Sequence, residues 1–124
     1  MMFRSYQRTC AEWAKKCFGP DVTQDRAQRN YRFMEEALEL AQSHGVTKEE
    51  VLKLVDYTFS RPPGDPLQEV GGVMTTISTM CHVYGYDLET CALVELERCE
   101  KNIDKIREKW KSKPQGSPLS GVSA

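Results

Sequence analysis

Three carboxylates crowd one short stretch: Glu35, Glu36 and Glu39 in YRFMEEALELAQSHG, residues 31–45. On an α-helix, residues three and four apart are neighbours, so Glu35 and Glu36 both face Glu39. Like charges so placed repel by about 0.2–0.5 kcal/mol per pair. Just upstream, DRAQRNYR carries Arg26, Arg29 and Arg32. This inverts the order a helix dipole favours, with acids near the N-terminus and bases near the C-terminus. One account is a solvated polar face opposite Phe33, Met34, Ala37, Leu38 and Ala41, with Arg32 pairing four residues on with Glu36. The other is a hard divalent cation, because Mg²⁺ takes one or a few carboxylates together with waters and phosphate oxygens. Glu39 favours the second account. The positions three and four away from it hold Glu35, Glu36, Gln42 and Ser43, none of them basic.

A further acid, Glu69, stands at the start of the next apolar stretch but one, DPLQEVGGVMTTIST. An acid in a first helical turn is favoured by the dipole alone, and Glu69 also offers a fourth metal ligand. Gly71 and Gly72 follow it inside the helix, where two glycines cost together about 2 kcal/mol relative to alanine. With Thr75, Thr76, Ser78 and Thr79 they make a small-residue surface along which another helix or a ligand can approach. His44 and His82 each sit near a helix C-terminus and belong to no metal-ligand spacing. The five cysteines are an odd number without a CxxC pair, which argues against a disulfide framework or zinc ribbon and for small core residues.

The elements that must position these groups are helical. Apolar residues recur at helical spacing, and no stretch alternates with period two. Phe3, Tyr6, Cys10, Trp13 and Cys17 mark a first helix stopped at Gly19-Pro20. A second spans about residues 23–44 and ends at Gly45. TKEE opens a third with a Thr47/Glu50 capping box, carrying Val51, Leu52, Leu54, Val55 and Phe59 inward. SRPPGDP is a loop, after which Asp65 caps a fourth helix reaching Tyr84 and Gly85. Asp87 caps the fifth and longest, whose seam is Ala92, Leu96, Cys99, Ile103, Ile106 and Trp110. The expected architecture is an all-α bundle of about five helices, with one domain over residues 1–112 and a flexible polar tail over 113–124. That length is enough to bury one core, and the apolar seams leave room for completion by oligomerisation.

EE-x-x-E in EEALEL, followed by a helix that opens with an acid, resembles the MazG-like all-α nucleoside triphosphate pyrophosphohydrolases, whose signature is E-x-x-E and then E-x-x-D. RNYRFMEEALELAQSHG, SRPPGDPLQEVGGVMTT and KIREKW look like a small branch of that family found in phages and proteobacteria, over about residues 10–112. The resemblance implies a MazG-like fold and an Mg²⁺ cofactor, replaceable by Mn²⁺, on Glu35, Glu36, Glu39 and Glu69. It implies catalysis through Glu36 and Glu39. It also implies phosphate contacts from Arg98 and Asn102, one turn apart, with Lys101 and Lys105 beside them. The chain departs from the pattern at one place: Gly72 stands where the second motif has Asp. Asp56 and Asp65 are the substitutes within reach of sequence. Trp13 or Tyr31 is a candidate to stack on a base, while Trp110 is expected to close the end of the bundle.

Composition narrows the partners. Seventeen basic against eighteen acidic residues give a net charge of −1, so there is no global basic field for nucleic acid. No apolar run approaches a membrane span, and MMFRSYQRTCAEW lacks a signal-peptide core, so a cytoplasmic protein is expected. The expected partners are a nucleotide substrate and further copies of the chain, as a dimer or tetramer. The rival expectation is a non-catalytic helical oligomer of the same fold that binds a nucleotide or a protein.

Overall fold

A computed structural model describes residues 2–113, so the tail expectation lies outside the described residues except at Lys113. Every regular element in it is an α-helix: α1 (Phe3–Phe18), α2 (Pro20–Gln24), α3 (Arg26–Ser43), α4 (Lys48–Phe59), α5 (Pro66–Tyr84), α6 (Leu88–Lys101) and α7 (Ile103–Lys111). Local chemistry sets most of their ends. Gly19, at φ 85°, takes a backbone conformation that side-chain-bearing residues avoid, and ends α1. The Thr47/Glu50 box opens α4, with the Glu50 amide donating to Thr47 Oγ1 at 3.2 Å and Glu50 Oε1 accepting from the Thr47 amide at 2.9 Å. Asp65 accepts from the Gln68 amide at 3.0 Å at the head of α5, and Asp87 from the Thr90 amide at 2.8 Å at the head of α6.

Two expected helices are each divided. Pro20 does not only stop α1. At a first helical position it starts the one-turn helix α2. Asp25 then breaks the chain and caps α3 through the Gln28 amide, 3.2 Å away. The expected long last helix is interrupted at Asn102, whose backbone sits at φ −125°, ψ 33°. Its side-chain amide donates to the Arg98 carbonyl at 2.7 Å, a competitor for the helical ladder.

The described residues fall into two compact units: those up to Glu39 with those from Val94 onward, and Leu40–Leu93. In the first unit, α1 packs against α2 and α7. Trp13 Nε1 donates to the Cys99 carbonyl at 2.9 Å. Arg107 donates through Nε to the Cys17 carbonyl and through Nη2 to the Lys16 carbonyl, at 2.9 and 3.0 Å, closing the C-terminus of α1. Trp13, Phe18 and Trp110 meet edge to face, with centroids 5.7 and 5.3 Å apart. The seam of α6 and α7 is at least half-buried throughout, and Leu96 is fully so.

In the second unit, His44 stacks on Tyr84 at 4.0 Å and its Nε2 lies 3.1 Å from the Tyr86 hydroxyl. Its apolar face is open. Leu52, Leu54, Val55 and Phe59, expected to point inward, are exposed, as are Leu67 and Val70 of α5. Periodicity identifies an apolar face but not what covers it, and this unit does not cover its own. The expected core is correspondingly thin. Among the described residues only Ala14, Cys17, Cys81 and Leu96 are buried, and Phe33, Met34 and Leu38 of α3 are half-exposed. A Cβ added at Gly71 or Gly72 would meet nothing within 4 Å beyond its own stretch of helix, so close packing does not explain them in this chain.

Candidate functional site

The face of α3 that carries Arg32, Glu35, Glu36 and Glu39 belongs to the first unit up to Glu39. Arg32 resolves much of the inverted charge order. Its Nη1 donates to Glu35, and its Nη2 stands 3.7 Å from Glu36 Oε1. A second cation comes from beyond the end of α7. Lys113 Nζ donates to both Glu35 oxygens, at 3.0 and 3.2 Å, and the two side chains are only 14% and 17% exposed. Glu35 is thus held by two positive groups. Glu39 has no ion-pair partner among the described residues, as its sequence neighbours imply.

One carboxylate oxygen from each of Glu35, Glu36 and Glu39 lies within 4.8 Å of the other two, close enough for a single cation. Desolvation beside the cavity wall, together with the negative charge of Glu39, pushes the Glu36 carboxyl above its ordinary range although its side chain is largely exposed, with Arg32 pulling the other way. Glu36 and Glu39 are the carboxylates that could hold a hard cation, which takes oxygen ligands, although exposed acids cluster in this way without one. Glu35 is the least available of the three, because a metal there must displace Lys113 or share the carboxylate with it.

Beside the acids opens a cavity of about 730 Å³ within the first unit. Its walls bring Glu35, Glu36 and Glu39 together with Arg98, Asn102 and Lys105 from α6, the break and α7. These six expected residues therefore share one site. Arg98 donates from Nη2 to Glu95 at 3.0 Å, which fixes its guanidinium, and Asn102 spends one amide proton on the Arg98 carbonyl. Lys101 is not part of the cavity. It pairs with Glu97 at 2.7 Å on an exposed helical face. Glu69 belongs to the second unit, and Gly72 lies on the open surface of α5. Trp13 lines the cavity with its N–H committed to Cys99, whereas Tyr31 does not line it.

Several lining residues were missed by sequence reasoning: Arg29, Glu95, Lys109, Lys113 and Phe18. Most of the signal was present. Arg29, Arg32 and Glu36 are spaced 3-4 on one helical face, and Arg98, Asn102, Lys105, Lys109 and Lys113 are spaced 4-3-4-4. Burial pushes Cys17 and Cys99 up, which keeps them neutral, and all five cysteines are free. No helix among the described residues is long and apolar enough to cross a membrane. Comparison with protein-family models, curated proteins and solved structures finds no match to this chain.

Proposed function

We propose that the chain is a MazG-like, Mg²⁺-dependent pyrophosphohydrolase that splits a nucleoside triphosphate into a monophosphate and pyrophosphate. The observation that carries this reading is the meeting of an acidic strip, a row of cations and an aromatic wall in one cavity. The three surfaces match the parts of a metal-bound nucleotide: metal, phosphates and base. When bound, Mg²⁺, or Mn²⁺ in its place, supplies Lewis-acid polarisation of the phosphate oxygens and a fixed template. Glu36 and Glu39 are the carboxylates that would hold it. Glu35, clamped by Arg32 and Lys113, keeps the strip in place.

Lys105 and Lys109 neutralise phosphate charge, Arg98 stays oriented by Glu95, and the Asn102 side chain gives a directional contact. A water oriented by Glu39 attacks the α-phosphorus. Its oxygen forms the new P–O bond, the α–β bridging bond breaks, pyrophosphate departs and the water proton passes to the carboxylate. Glu69 and Lys101 enter this reading only through the family resemblance.

The second reading is a non-catalytic oligomer of the same fold that binds a nucleotide or a protein. Gly72 in place of an acid and the double counter-charge on Glu35 favour it. In both readings a second copy of the chain covers the apolar face of α4 and α5. Helix α5 carries a single acid and no lysine or arginine over nineteen residues, so a surface of like character is its best match. A panel of nucleoside triphosphates, assayed for pyrophosphate release with Mg²⁺ and with EDTA, tests the choice. Metal-dependent release abolished by Glu39→Gln supports the hydrolase. Saturable nucleotide binding without release supports the second reading.

A further inference from the structure

Arg29 is a half-buried cation in the wall of this cavity. Its Nε is shielded from solvent and has no hydrogen-bond partner, and the side chain makes no ion pair among the described residues. Its guanidinium carbon lies 5.8 Å from the centroid of the Phe18 ring, a cation–π contact. Half-burial and the charge of Arg32 both act against the protonated state, which Asp25 supports only in part. A partly buried cation without an ion pair is unfavourable by itself. Arg29 lines the 730 Å³ cavity, in which Lys105 and Lys109 also lack ion-pair partners, while Arg32, Arg98 and Lys113 are each bonded to a glutamate. Among the described residues, three cations of this wall make no ion pair, against one carboxylate, Glu39. The surplus calls for a ligand with more than one negative charge.

We infer that Arg29 is the deep anchor of an anion subsite that takes a polyvalent phosphate group, with Lys105 and Lys109 as its outer contacts. The anion supplies a counter-charge and, with a rotation of the side chain, the acceptor that Nε lacks. A guanidinium suits this position because its fork can bind two phosphate oxygens at once. The inference shares its cavity with the proposed function but not its metal, so the two can fail separately.

The probe is inorganic pyrophosphate in EDTA, titrated calorimetrically into the whole protein at low ionic strength. The expected result is saturable binding to the parent, weakened roughly tenfold or more in Arg29→Met and less in Arg29→Lys, which keeps the charge but not the fork. Lys53→Gln, outside the cavity, should bind as the parent does. Thermal melts without ligand provide the control on folding. Arg29→Met should melt at or above the parent temperature and lose the shift induced by pyrophosphate. No saturable binding to the parent at millimolar pyrophosphate would overturn the inference. So would equal losses in Arg29→Met and Lys53→Gln, or an Arg29→Met variant that melts well below the parent and still binds. Metal-dependent nucleotide hydrolysis plays no part in these outcomes.

Discussion

Helix α1 is fastened across the first unit by polar bonds that reach far along the chain: Trp13 to Cys99, Arg107 to Lys16 and Cys17. Helices α4 and α5 of the second unit have nothing comparable. Their side-chain hydrogen bonds are local, from caps and from threonines and serines to carbonyls three or four residues back. Their large apolar residues lie in the open, Phe59 at 84% and Leu67 at 82% exposure. The first unit thus carries its specificity in directional contacts around a cavity, and the second carries an unspent hydrophobic surface. A charged cavity and an open apolar surface thus lie in different stretches of one short chain.

The strongest way to break this comparison is to make the second unit's face polar. Full burial of a large aliphatic or aromatic side chain contributes about 1.5–3 kcal/mol, and α4 and α5 offer several. Light scattering at micromolar concentration should give a multiple of 14.2 kDa for the parent. A double variant, Leu54→Glu with Val70→Glu, should shift the mass to the monomer and lower helicity. A parent that stays at 14.2 kDa over a broad concentration range would show that the second unit needs no partner.

Next in size is the fastening of α1. Arg107→Ala leaves the Lys16 and Cys17 carbonyls without their charged donor and removes a cation from a helix C-terminus. The loss should be about 1–3 kcal/mol, read as an earlier melt with the oligomer mass unchanged. An equal fall in mass would mean that the two units do not divide the labour as described.

What could be read from sequence follows the same division. Caps are local, so Thr47/Glu50, Asp65, Asp87, Gly45 and Gly85 placed helix ends correctly. The breaks at Asp25 and Asn102 were missed because each is polar and fits a solvated helical face equally well. The acidic strip was legible because helical spacing puts its residues on one face, whereas Arg98, Asn102 and Lys105 were named through the family resemblance. The Lys113–Glu35 pair was not legible as a particular contact, since 78 residues separate its members. The inward placing of Leu52 and Leu54 failed because amphipathicity does not name the covering surface.

That pair gives the third prediction. Lys113→Gln frees one carboxylate of the strip from an internal cation. If Glu36 and Glu39 hold a metal, Glu35 then becomes available, and Mg²⁺ affinity measured by calorimetry should rise about threefold to tenfold at low salt. Stability without metal should fall by roughly 1 kcal/mol, as the mostly buried Glu35 loses one of its two donors. A variant with lower metal affinity would make Lys113 an organiser of the site rather than a competitor within it.

The smallest effect sharpens the electrostatics of the strip itself. Glu36 has a folded-state pKa above its unfolded one, so between those two values the folded chain binds more protons than the unfolded chain. Stability therefore falls as pH rises through that window, and the ionised carboxylate is a small liability above it. Arg32 at 3.7 Å and the exposure of the side chain keep the effect to a few tenths of a kcal/mol, the size of one like-charge helical pair. In EDTA, Glu36→Gln should melt slightly above the parent at pH 7, and the difference should vanish below the ordinary carboxylate range. With Mg²⁺ at pH 7 the order should reverse, because only the parent gains ligand stabilisation, about 2.7 kcal/mol at a hundredfold excess over Kd. If Glu36→Gln melts below the parent in EDTA at every pH, the Arg32 contact outweighs the repulsion from Glu39. The strip would then be a salt-bridged surface of the first unit, and the cavity's chemistry would rest on its cations.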